Sequence, residues 1–256
     1  MRIAIDLTAL DDNRSGIERY AMCMTKAMIR ADRSNTYELI FKNRIFGDLS
    51  EEAGMENVNV HILPGCGKLR FIQLRLLKYL KRLPADRYVF FAYPQPVLFR
   101  ADNIYATIHD MACGDCPETM KRKMVWYYRL SYRAMAMYAK RILTVSEFSK
   151  KRITDILNVE PEMVKVIYNG LTDKFTDVKP PSEEDIMRIR KKYSLPEKYL
   201  LCLSTLEPKK NMQLLVGAYG RYVRTDKNAL PLVIAGRNGW LMDDLMHRAD
   251  KDAQKA

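Results

Sequence analysis

The stretch Leu203-Ser-Thr-Leu-Glu-Pro-Lys-Lys-Asn-Met212 separates two contrasting patterns. Before it runs Tyr199-Leu-Leu-Cys-Leu203, continuously apolar, as in a strand covered on both faces. After it comes Gln213-Leu-Leu-Val-Gly-Ala-Tyr219, which reads as a helix. A strand therefore stops, turns through Pro208 and enters a helix with Lys209, Lys210 and Asn211 at its mouth. Strand, turn and helix in this order are the repeating unit of a parallel α/β sheet. The lysines stand at the wrong end of that helix, because a helix N-terminus already favours negative charge. They cost stability unless an anion binds; the plain alternative is two solvated surface charges.

The same alternation extends back to the N-terminus. Strands are expected at Arg2–Leu7, Tyr37–Phe41, Val58–Leu63, Tyr88–Phe91, Ile104–Ile108, Arg141–Val145 and Val164–Tyr168. Helical patterns fall at Ile17–Arg30, Lys121–Ala139 and from Glu147 onward. The segment TDKFTDVKPPSEE, residues 172–184, is polar and proline-containing and reads as a linker, followed by a helix at Ile186–Tyr193. The expected division is 1–175 as a first Rossmann-like domain, 176–198 as linker and helix, and 199–256 as the start of a second. Only two strands are clear in that second series, too few for a stable domain by themselves.

Composition narrows the function classes. With 48% hydrophobic residues among 256, the chain can bury a real core. No apolar run approaches the roughly 18 residues of a membrane-spanning helix. An odd count of five cysteines without a regular framework points to a reducing compartment, hence the cytoplasm. The net charge of +12 asks for an anionic partner. Its densest run, Lys68–Leu83, has six basic residues and no acid. Leu69, Ile72, Leu76, Leu80 and Leu83 share one helical face, flanked by Arg70, Arg75, Lys78, Lys81 and Arg82. Such a helix suits an anionic membrane surface, with Arg75, Lys78, Lys81 and Arg82 toward the lipid, or packs on the core with a solvated basic side. No nucleic-acid recognition motif is present.

Four junctions fall at the carboxyl ends of strands, where open α/β sheets bind ligands. Asp6 leads through Arg14-Ser15-Gly16 into Ile17-Glu18-Arg19-Tyr20, a glycine opening a helix. Ile108-His109-Asp110-Met111 places a polar pair directly after a strand. In Thr144-Val145-Ser146-Glu147-Phe148-Ser149 the serine at 146 can cap a helix. The lysine turn is the fourth, and Asn169-Gly170 closes the strand before the linker as a turn. Cys113-Gly-Asp-Cys116, with His109 nearby, matches part of a zinc or redox pattern, but no second such pair follows.

Taken in order, S-G-I-E-R-Y, T-I-H-D with P-E, L-T-V-S-E-F-S, V-I-Y-N-G, L-S-T-L-E-P-K-K-N and V-I-A-G-R-N-G-W resemble the retaining glycosyltransferases of family 4. The resemblance covers essentially the whole chain and is nearest to the members of bacterial cell-surface polysaccharide assembly. It implies the GT-B fold, two facing Rossmann-like domains. It implies a GDP- or UDP-hexose donor, mannose-like, and a saccharide or lipid-linked acceptor at the inner face of the membrane. No separate cofactor and no metal is implied, since lysines take the place of a divalent cation. Lys210 matches the family's phosphate-binding lysine. The family's arginine five positions earlier is Thr205 here, and Lys209 is the candidate to replace it. Gly16 would approach the same diphosphate from the first domain, and His109 would contact the transferred sugar. Asp110, Ser146, Asn169 and Gly170 would line the substrate cleft.

The family also carries two glutamates facing the donor sugar and ribose, and no residues here match them. The expectation from this departure is a C-terminally truncated chain that binds sugar nucleotides poorly. The rival expectations are a non-catalytic acceptor- or membrane-binding fragment, or one half of a split enzyme.

Overall fold

Seven short strands of the first part of the chain align in one parallel sheet. They are β1 Arg2–Asp6, β2 Thr36–Lys42, β3 Val58–Leu63, β4 Arg87–Phe90, β5 Ile104–Thr107, β6 Ala139–Thr144 and β7 Val164–Val166. Their spatial order is β3-β2-β1-β4-β5-β6-β7. The connecting helices are α1 Gly16–Ala31, α2 Ser50–Ala53, a π-turn at Phe71–Leu76 running into α3 Leu77–Leu80, α4 Ala112–Asp115, α5 Arg122–Tyr138 and α6 Glu147–Leu157. The computed structural model describes residues 1–10, 16–171 and 179–237. The chain divides into two compact units, Met1–Pro117 with Lys121–Asp173, and Glu118–Met120 with Lys174–Ala256.

The strand order follows from how the chain travels. It steps from β1 outward through β2 to β3, then returns to the other side of β1 and proceeds from β4 to β7. Right-handed crossovers put helices of opposite travel on opposite faces. α1 and α2 therefore share one face, while the π-turn, α3, α5 and α6 share the other. Between β1 and β4 the direction reverses, and the loops at their carboxyl ends part to leave a crevice. Burial on both faces explains the near-continuous apolar strands: Ile5, Leu39, Ile40 and Phe41 are wholly inaccessible.

The strand expectations hold to within two residues at the ends. β6 starts at Ala139, two residues early, because α5 passes directly into it. The basic segment Lys68–Leu83 departs further from its reading. It is a π-turn followed by the one-turn α3, and Phe71, Ile72, Leu76, Leu80 and Leu83 are buried in the core. The apolar stripe therefore cannot lie in lipid. Arg75, Lys78, Lys81 and Arg82 are exposed, as a solvated basic side requires.

In the second unit, α7 Glu183–Tyr193 precedes β8 Leu200–Leu203, a 3-10 turn at Pro208–Lys210, α8 Met212–Thr225 and β9 Leu232–Ala235. β8 and β9 pair in parallel, Leu200 opposite Leu232 and Leu203 opposite Ala235. Past the strand ends, the Ser204 N–H donates to the Ala235 carbonyl and the Leu206 N–H to the Arg237 carbonyl, each at 2.9 Å. Gly236 sits between these bonds. A Cβ there would stand 1.8 Å from the Ser204 carbonyl oxygen, so no other residue fits the backbone as it runs.

Candidate functional site

The crevice beside β1 is built from three loop starts. At the end of β1, Asp6 is 3% exposed and its carboxylate accepts the Thr8 N–H at 3.0 Å. Burial pushes its pKa up to about 6 against the pull of the Thr8 hydrogen bonds. After β4 comes the Phe91 carbonyl, and after β5 comes His109. The His109 Nε2 lies 2.8 Å from that carbonyl oxygen. A carbonyl oxygen only accepts, so Nε2 carries the proton and the neutral ring leaves Nδ1 as a bare acceptor. Burial holds His109 below the usual histidine range, with the Phe91 carbonyl and Asp110 opposing. It is a neutral imidazole at neutral pH.

α1 closes this crevice with its first two turns. Tyr20 stands edge-on to the His109 ring, with centroids 4.9 Å apart, and edge-on to Phe91 at 5.9 Å. Gly16, Arg19, Tyr20, Cys23 and Met24 line a hollow of about 190 Å³ that Asn169 and Gly170 complete. The turn after β7 thus meets the start of α1. Neither glycine is demanded by packing: a Cβ at Gly16 or Gly170 would find no atom within 4 Å. The open space lies where a helix N-terminus and the Arg19 guanidinium both favour negative charge.

The structure gathers some of the expected residues and gives others a separate duty. Gly16, Asn169 and Gly170 come together in the hollow, and Tyr20 links it to His109. Ser146 caps α6, its hydroxyl accepting the Ser149 N–H at 3.1 Å, and the Ser149 hydroxyl donates to the His109 carbonyl at 3.2 Å. Ser146 therefore braces the histidine loop. The Asp110 carboxylate, exposed, accepts the Ala112 N–H at 3.0 Å and turns the chain into α4. Lys209 and Lys210, in the second unit, lie exposed on the 3-10 turn. Asn211 follows in the left-handed conformation at φ 51° and starts α8.

Cys23 and Met24 were not picked out in the sequence, and Arg19 entered only within the motif that opens at Gly16, although the signal was there. Positions three, four, seven and eight after Gly16 fall on one helical face. The Cys113–Cys116 pair has a packing explanation: Cys113 is buried in α4 and its thiol is pushed up to about 11 by that burial. A thiol so poorly ionised is neither a good metal ligand nor a nucleophile. Among the described residues no group of three or more His, Cys, Asp or Glu could hold a metal ion. Nor is any helix among them long and apolar enough to cross a membrane.

No protein-family profile matches the chain. It is 29% identical over 157 residues to O-antigen chain mannosyltransferase B of Escherichia coli, a match covering 61% of this chain and 40% of that protein. It is 28% identical over 97 residues to the serotype-specific mannosyltransferase WbdA of Escherichia coli, covering 38% of this chain but only 12% of that one. The matched stretches thus span less than half the length of these curated relatives. Among solved structures it is similar to Anabaena HepE, determined with UDP and glucose, with a TM-score of 0.63 and 14% identity. That likeness covers 100% of this chain and 66% of HepE. A glycosyltransferase from Rickettsia africae gives a TM-score of 0.55 at 14% identity, over 99% of this chain and 65% of that one. At these identities the structural likeness is one of fold, and the fold class is α/β of the GT-B type.

Proposed function

We propose that this chain belongs to a retaining, family 4-type hexosyltransferase that moves a mannose-like sugar from a nucleotide donor to a saccharide or lipid-linked acceptor. The observation that carries the proposal is the hollow at the start of α1. It joins two distant sequence motifs at an open, anion-favouring helix N-terminus and connects through Tyr20 to a neutral histidine. The mannosyltransferase names of the relatives support the chemistry and the choice of sugar. HepE, solved with UDP and glucose, supports a nucleotide-sugar donor.

In this reading the donor diphosphate rests against the N–H groups that open α1, with Arg19 beside it. The second unit's own candidates for diphosphate charge are Lys209 and Lys210, whose part would be to stabilise a departing nucleotide as the glycosidic bond breaks. Because Nε2 of His109 is held by Phe91, only Nδ1 is left to accept a hydrogen bond from a sugar hydroxyl. The site works with fixed cations and needs no metal of its own.

The experiment is calorimetric titration with UDP- and GDP-hexoses, followed by assay of transfer and proton NMR of the product anomer. In an active preparation Lys210→Ala should lower kcat/KM by about 10²–10³, the scale of losing one transition-state electrostatic partner. Gly16→Ala should leave the melting temperature nearly unchanged, since nothing packs there, while weakening donor binding. An unchanged kcat/KM in Lys210→Ala, or a product of inverted anomer, would refute the corresponding part of the reading.

A further inference from the structure

α5 presents two contrasting sides. Its inner side is ordinary: Val125, Ser131, Tyr132, Ala134 and Met135 are buried against the unit. Its outer side is not. Trp126, Leu130 and Met137 are 74%, 55% and 68% exposed. At 100° per residue these three fall within about 40° of one another. Arg122, Lys123, Arg129 and Arg133, all exposed, fall within about 60° of Trp126 on the same face. Neither α5 nor Lys121 before it contributes an acidic residue.

Three large apolar side chains in water on one helix are a cost that a solvated surface does not need. The charge around them selects the occupant. An apolar stripe framed only by arginine and lysine is complementary to a surface that is anionic at its rim and hydrocarbon beneath. Tryptophan, with its amphipathic ring, is the aromatic side chain suited to that boundary. More basic residues stand on the same face of the sheet. The π-turn that leads into α3 places Gln73 beside Tyr127 of α5, where it offsets part of the burial-driven rise of that phenol. Arg75, Lys78, Lys81 and Arg82, exposed on that neighbouring segment, extend the positive field without supplying any of the insertion.

We infer that the outer face of α5 is a docking surface for an anionic phospholipid bilayer, with Trp126, Leu130 and Met137 entering the interface and Arg122, Lys123 and Arg133 on the headgroups. This inference does not rest on the glycosyl-transfer reading, and its test does not involve catalysis.

The test uses the whole chain with Trp240→Phe, so that Trp126 is the single fluorescent tryptophan. Vesicles of phosphatidylcholine with and without phosphatidylglycerol are the probe. Expected are co-sedimentation and a blue shift of Trp126 emission with the anionic vesicles only, both reversed by salt, and quenching of Trp126 by brominated acyl chains. Arg122→Glu/Lys123→Glu/Arg133→Glu should weaken partition about a hundredfold or more, given about fivefold per basic residue removed. Trp126→Ser/Leu130→Ser should abolish the shallow insertion with little change in melting temperature, since both side chains are exposed. The inference fails if the wild type ignores anionic vesicles or binds neutral ones equally. It fails if the α5 variants bind anionic vesicles as the wild type does while Arg75→Glu/Lys78→Glu/Lys81→Glu/Arg82→Glu removes binding, which would place the contact on the Lys68–Leu83 segment. It fails too if Trp126 is shielded in a dimer that Trp126→Ser dissociates, which would make a second copy the occupant.

Discussion

The two parallel sheets of this chain are written in the same residues and treated differently by the fold. In the first unit, Ile5, Leu39 and Phe41 have no exposed surface at all. In the second, Leu200, Leu201 and Leu203 of β8 are 42%, 60% and 78% exposed. Both sequences make the same demand, an apolar strand that wants cover on two faces. Among the described residues, the first unit meets it with helices on either side and the second does not. A continuous apolar run thus states what a strand requires; the topology around it decides how much stability comes from it.

The largest test of that contrast is a pair of truncations. Phe41→Ala should cost about 3–5 kcal/mol, a transfer term plus a cavity in a close-packed interior. Leu201→Ala should stay within about 0.5 kcal/mol, because little packing is lost at an exposed position. Chemical denaturation followed by circular dichroism separates the two, and equal effects would mean that β8 is covered as well as β2.

A smaller effect belongs to the first unit through Asp6. Its folded pKa of about 6 lies above the ordinary 3.8, so the folded state holds the proton more tightly. The stability tied to that proton is fully present below the ordinary value and is lost as pH rises through about 6. The difference amounts to about 3 kcal/mol. Asp6→Asn should remove this part of the pH dependence from the denaturation profile. A profile with the same slope in the variant would place the titration elsewhere.

The smallest test compares two like caps. The Ser146 hydroxyl accepts the Ser149 N–H at 3.1 Å in the first unit, and the Ser182 hydroxyl accepts the Asp185 N–H at 3.1 Å in the second. Each serine replaced by alanine should cost about 1 kcal/mol. Ser182→Ala should act on the second unit's transition alone. Ser146→Ala should also alter the His109 side-chain NMR shifts, because Ser149 connects that cap to the histidine loop. Identical behaviour in the two variants would separate Ser146 from the site.

The sequence makes the alternation of strands and helices legible because its periods, two and 3.6, are local properties. What escaped is where a face points. Ile72, Leu76, Leu80 and Leu83 mark an apolar stripe equally well for lipid or for a core, and the core took it. Trp126, Leu130 and Met137 sit in a helix whose inner positions are equally apolar, so periodicity gave them no distinction. The geometry of the candidate site was legible only in part. Gly16 and His109 announce themselves at strand ends. The meeting of Gly16 with Asn169 and Gly170 depends on the order of strands across the sheet, which no single segment encodes. The depth of Asp6 likewise depends on the elements around it.

Gly236 has a consequence for which positions can vary. The lysine turn leaves β8 at Ser204, and its departure is fixed by two backbone hydrogen bonds, to the last residue of β9 and to Arg237 beyond it, and by the closeness that only glycine permits. No side chain takes part in that clamp. The path of residues 204 to 206 is therefore set by backbone alone, and a change of side chain at Thr205 leaves both bonds in place. A side chain at Gly236 would break that path, since its Cβ would meet the Ser204 carbonyl oxygen.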